Sequence, residues 1–139
     1  MKILLSRSNK IGSLLIRLVT WSRFSHVGIL TDCECYVIES LMFKGVVKTD
    51  INDFIERNST VELAKMQGNQ QVAAKYIGCG YDWPALIGIM THRDWGKSDR
   101  WFCSELVAKA SGMFRESRTG RITPEHIFMV SKHVKRLKG

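Results

Sequence analysis

Proline is scarce, with two in 139 residues, and no stretch is rich in proline, glycine or serine. A linker between folding units would need such a stretch, so one domain spanning residues 1–139 is expected. Internal repeats and low-complexity tracts are also missing, which excludes solenoids and disordered arrays. Long apolar runs are absent too. The opening MKILLS is too short for a signal peptide, and Ile11 to Val19 is interrupted by Ser13 and Arg17. Neither stretch reads as a secretion signal or a spanning helix. A cytoplasmic protein is therefore expected, with its four cysteines reduced rather than bridged.

Acidic residues are in deficit, at 13 against 21 Lys and Arg, for a net charge of +8. That balance suits an anionic partner such as a phospholipid surface or a wall polymer. The most basic stretch, Lys132 to Lys138, reads as a solvated helix end that could touch an anionic surface. The four tryptophans are scattered and none sits in an interleaved basic-aromatic run, so no specific nucleic acid is expected. Cys33 and Cys35, with Cys79 and His92, lack a matching second pair at zinc spacing, so no metal is expected. GCGYDW has no third glycine and is not a dinucleotide fingerprint. No cofactor is implied.

What is present is a succession of short patterned segments. Lys2–Ser6 reads as a strand. Ile11, Leu14, Leu15, Leu18 and Val19 fall at helical spacing in an amphipathic helix ending near Trp21. Residues 25–30 and 35–40 read as strands about a short polar connection, and Gly45–Thr49 as another. A short helix follows from about Asp50, which can cap it. Ser59–Met66 is β-branched and apolar enough for a further strand. Asn69 onward looks helical, with Val72, Ala73, Tyr76 and Ile77 on one face. GCGYDWP breaks that pattern, Ala85–Met90 is a second helical piece, and Thr91–Arg100 is a polar loop. Leu106, Val107, Ala110, Met113 and Phe114 mark a helix weakened near its end by Gly112. Thr123-Pro124-Glu125 opens the last helix. The fold class is α+β, a small and mainly antiparallel sheet packed against helices.

Three residues carry chemistry. In FSHVGIL, alternation puts Val27 and Ile29 on one face and His26 and Gly28 on the other, and the glycine leaves open space beside the imidazole. A hairpin centred between Asp32 and Cys33 sets His26 directly against Glu39, with Cβ atoms roughly 4.5–5.5 Å apart. A turn centred one residue away would place the two diagonally or on opposite faces. Cys103 shares the inward stripe of its helix and sits in the first turn, where the helix dipole favours a thiolate. Neither Trp101 nor Phe102 can cap that helix with a side-chain oxygen, which leaves its first N–H groups for a ligand. Alone, Cys103 reads as a small buried hydrophobe, His26 as a core histidine and Glu39 as a surface carboxylate. Together they are a nucleophile, a base and the group that orients the base.

FSHVGIL, VIES, a basic-apolar stretch with GV, then YD, WFCSELV and ITPE, in that order, resemble the circularly permuted branch of the NlpC-type papain-like hydrolases. Among these the sequence resembles the YiiX-like proteins, and the likeness runs from Ile3 to about Ile127. Histidine precedes cysteine here, whereas unpermuted relatives have the reverse order. The resemblance implies Cys103 as nucleophile, His26 as base, Glu39 as third member and Tyr81 near the oxyanion. It implies a cysteine peptidase or amidase acting through a thioester acyl-enzyme, on a peptide, a peptidoglycan fragment or an acyl-lipid. A lipid acyltransferase or thioesterase with the same triad is the alternative, and an inert basic binding module is another. The family's exported members carry a signal peptide or lipid anchor, and the residues at the start of this sequence read as neither.

Overall fold

The computed structural model describes residues 1–81, 100–115 and 121–139, with backbone alone for Tyr81 and Arg100. The expected helix Ala85–Met90 and the loop at 91–99, with Trp83, His92 and Trp95, lie outside the described residues.

Strand β1 (Lys2–Arg7) leads into helix α1 (Ile11–Thr20), then β2 (His26–Leu30), β3 (Tyr36–Leu41) and β4 (Gly45–Asp50). Helix α2 (Ile51–Arg57) follows, its first turn capped by the Asp50 carboxylate accepting from Asn52 N–H at 2.8 Å. Next come β5 (Thr60–Lys65) and a short α3 (Gln70–Ala74). The periodicity had extended α3 through Ile77; it stops at Ala74, and Ile77 is 45% exposed. Two short strands, β6 (Gly80–Tyr81) and β7 (Arg100–Trp101), form a parallel pair. Helix α4 (Cys103–Ser111) ends at Gly112, whose φ of 63° is the left-handed C-cap conformation that glycine adopts without penalty. Helix α5 (Pro124–Val130) begins at the Thr123 cap with proline at its start, as its sequence dictates.

Six strands make one antiparallel sheet in the order β4-β3-β2-β1-β5-β8. The last of them, β8 (Lys132–Lys138), corrects the reading of this basic stretch as a helix end. It is an edge strand on β5, with Leu137 packed inward and Arg136 bonded to the buried Glu62 at 3.0 Å. Exposed lysines along such an edge discourage pairing with another chain.

The sheet is covered on both faces, which is why central β1 reads as an unbroken apolar run. Ile3, Leu5, Val27, Ile29 and Ile38 pack with Leu106, Val107 and Ala110 of α4 and Ile127 of α5. Leu4, Leu30, Val37, Val61 and Leu63 pack with Phe54 of α2 on the opposite side. The site is thereby set where α2 and the start of α4 reach the same end of β2 and β3.

Candidate active site

The β2–β3 turn departs from the expected register. Ile29 faces Ile38 and Leu30 faces Val37, so the turn is centred between Cys33 and Glu34. The Thr31 hydroxyl causes the shift, because it donates to the Tyr36 carbonyl at 2.9 Å and accepts from Tyr36 N–H at 3.3 Å. Glu34 then takes a left-handed φ of 57°, and its N–H closes a turn onto the Thr31 carbonyl. On this register Glu39 lies diagonally from His26 on the same sheet face. A diagonal pair is within reach of long side chains, and His26 Nε2 meets Glu39 Oε2 at 2.7 Å.

The space beside His26 is also not open, contrary to expectation. A Cβ on Gly28 would come within 2.4 Å of Val37 Cγ1 and 3.4 Å of the Phe54 ring. Glycine is needed here so that α2 can press onto the sheet. Phe54 in turn lies 6.0 Å from the imidazole, ring centre to ring centre.

Glu39 is fully buried, and Arg57, in the last turn of α2, donates to the same Oε2 that His26 uses. Arg57 also lies over the Phe54 ring at 5.1 Å. Sequence reasoning missed this guanidinium. The available signal was physical: a carboxylate on an inward strand position needs a cation, and α2 is the element that follows on that face. Burial alone would push the Glu39 carboxyl up. The hydrogen bonds and charges of His26, then of Arg57, outweigh it and hold the group down at about 2. Its other oxygen, Oε1, is buried without a hydrogen-bond partner among the described residues.

Cys103 is the first residue of α4 and is 2% exposed. Two bonds fix the chain there. The Ser40 hydroxyl donates to the Trp101 carbonyl, and the Ser104 hydroxyl donates to the Ile122 carbonyl. Ser40 is a second residue the sequence did not reveal. As expected, Phe102 supplies no side-chain cap, although the Glu105 carboxylate accepts from Phe102 N–H at 3.4 Å. Tyr81 pairs by backbone with Trp101, two residues ahead of Cys103; its side chain is outside the description.

Cys103 and His26 line the same cavity, close enough for the thiol to act on the imidazole. Because Nε2 is committed to Glu39, Nδ1 is the nitrogen left for the thiol. Burial works to keep this imidazole neutral. The hydrogen bond and negative charge offered by Cys103, then those of Glu39, overcome that and lift His26 to about 9. The pair opens onto a cavity of about 500 Å³ that His26 and Cys103 share with Ser13, Ile16, Met42 and Phe43. Cys33 and Cys35 are exposed at the β2–β3 turn, while Cys79 sits against β4.

A model of the family of permuted papain-like amidase enzymes (YaeF/YiiX, C92 family) matches residues 3–128. Among solved structures, the chain is similar to the metalloprotein yiiX from Escherichia coli O157:H7, with a TM-score of 0.67 and 19% identity over 99% of this chain and 97% of that one. No curated protein matches. The metal belongs to the name of that relative. Among the described residues here, no group of three or more His, Cys, Asp or Glu side chains could hold an ion.

Proposed function

Because the chain belongs to the permuted papain-like amidases, we propose that it cleaves an amide through Cys103, His26 and Glu39. The observation that carries this reading is an imidazole that bonds a buried carboxylate and shares one cavity with a thiol at a helix start. His26 holds the proton taken from Cys103, and the sulfur attacks the amide carbonyl carbon. A tetrahedral oxyanion forms beside the start of α4, whose N–H groups and dipole favour negative charge there. His26 then gives its proton to the amine, the C–N bond breaks, and a thioester remains on Cys103. Water loses a proton to His26, attacks the thioester, and releases the carboxylic acid and the thiol. Glu39 keeps Nδ1 turned toward the sulfur and stabilises the imidazolium. For Tyr81 as an oxyanion partner, the support is its backbone position beside Trp101 and the family resemblance.

The test is site-resolved alkylation followed by mass spectrometry across pH, in the parent and in His26→Ala. Cys103 should react faster than Cys33, Cys35 and Cys79 well below pH 8 and lose that lead without His26. An unreactive Cys103 in a folded protein that also fails to form a thioester with activated esters would end the proposal.

A further inference from the structure

Helix α1 is mounted the wrong way round for a water-soluble helix. Ile11, Leu14, Leu15 and Leu18 recur at helical spacing on one face. They are 78%, 48%, 50% and 64% exposed, and Trp21 just past the helix end is 91% exposed. The side turned inward is instead led by Ser13, the one buried residue of the helix. Its hydroxyl accepts from Ser8 N–H at 3.1 Å and lies 2.6 Å from the Ser25 hydroxyl. Ile16 alone of the apolar residues packs partly on the core. Hydrogen bonds, not the apolar stripe, therefore set how α1 faces.

Phe43, at the β3–β4 turn, is 90% exposed as well. The inward side of α1, with Gly12, Ser13 and Ile16, lines the Cys103 cavity together with Lys10 before the helix and Leu41 to Lys44 of the turn. The exposed stripe therefore lies on the other side of a helix that borders the cavity. An exposed apolar helix face of this kind marks an interaction site. Its charge selects the occupant. The first 31 residues contain no Asp or Glu. Lys10 and Lys44 are exposed and Arg17 is half-buried, while Arg23 is occupied by Glu125. Apolar side chains with tryptophan on one face and cations flanking them are the pattern of a helix lying in an anionic lipid interface. Among the described residues no helix is long and apolar enough to cross a membrane, so α1 would lie along the surface.

We infer that α1 seats the protein on an anionic lipid bilayer beside the Cys103 cavity, with the β3–β4 turn as a second point of contact. The docking is independent of the reaction. Its corollary, that the scissile acyl group is drawn from the bilayer, rests on the function proposed above.

The experiment uses full-length Cys103→Ala protein, so that a failure of the proposed chemistry cannot masquerade as a failure to dock. Flotation is measured with vesicles of phosphatidylcholine alone and of phosphatidylcholine mixed with phosphatidylglycerol. The protein should float with the anionic vesicles and be released as salt rises. Leu15→Glu with Leu18→Glu should weaken partition about tenfold or more, with an unchanged circular dichroism spectrum. Phe43→Ser, in a turn outside the helix, is the second variant should the first misfold, and it too should weaken flotation. Lys10→Glu with Lys44→Glu should remove the preference for phosphatidylglycerol. The inference is overturned if the parent does not float with anionic vesicles at low salt, or if the apolar variants float as well as the parent. It also falls if sedimentation shows a dimer that those variants disperse, since a second copy would then cover the face. Loss of flotation in Lys132→Glu with Lys135→Glu but not in Lys10→Glu with Lys44→Glu would assign binding to β8 instead.

Discussion

Helices α1 and α4 carry leucines and isoleucines or valines at the same spacing and use them in opposite ways. In α4, Leu106, Val107 and Ala110 are buried against β2, and Cys103, on the same stripe, is carried inward with them. In α1 the corresponding stripe faces solvent, and a serine faces the protein. Helical periodicity reports that a face is apolar, not what covers it. What separates the two helices is their neighbours. The start of α4 is anchored by Ser40 and Ser104 through backbone carbonyls, so its orientation and its packing agree. The start of α1 is anchored by Ser13, so its orientation and its apolar stripe disagree. Such a conflict between local pattern and environment belongs at a functional surface.

The sharpest way to separate the helices is Glu39→Gln, which acts at the α4 end and does not touch α1. Turnover should drop about 10²–10⁴-fold while flotation with anionic vesicles stays unchanged. An unchanged rate would remove Glu39 from the site. Packing comes next. Leu106→Ala should cost about 2–5 kcal/mol in urea unfolding, whereas Leu18→Ala should stay within about 0.5 kcal/mol. Equal costs would mean that the α1 stripe is covered after all.

The pH dependence should follow the His26–Glu39 pair and not α1. His26 is raised from its usual 6.5 to about 9, so its contribution to stability is complete below 6.5 and lost as pH climbs through about 9. Glu39 is lowered from 4.5 to about 2, so its contribution is present above 4.5 and lost as pH falls toward 2. If His26 acts as proposed, turnover should accordingly fall above about pH 9, where the imidazolium needed to protonate the leaving amine disappears. In Cys103→Ala, histidine NMR should place the His26 titration well below 9, since its largest raising partner is gone; Leu18→Ala should leave it in place. The smallest effect is expected for Ser40→Ala. Losing one bond to Trp101 costs about 1 kcal/mol and lowers kcat with KM unchanged, because the nucleophile loosens while the cavity persists. A rise in KM alone would reassign Ser40 to substrate binding.

Much of this was readable from residue patterns. The strands of the sheet up to β5, the Asp50 and Thr123 caps, and the helix beginning at Cys103 all follow from alternation, capping chemistry and 3.6-residue spacing. So did the meeting of His26 with Glu39, although the route was wrong. The connection TDCEC offers several turn centres of similar composition, and the Thr31 hydroxyl chooses between them only once the strands are in place. The basic tail misled because alternation in KHVKRLK is masked by long cationic side chains, and its strand character comes from pairing with β5. Arg57 and Ser40 stayed hidden for a different reason. Each acts on a group far away in sequence, 18 and 61 positions respectively, and no local rule reaches that distance.

Adjacent residues of β3 hold the two halves of the site: Glu39 grips His26 on one face, and Ser40 grips the chain before Cys103 on the other. A one-residue slip of β3 would exchange those faces and remove both grips together. The proposed activity, measured per molecule after refolding, should therefore be lost in any product in which β3 has slipped by one residue.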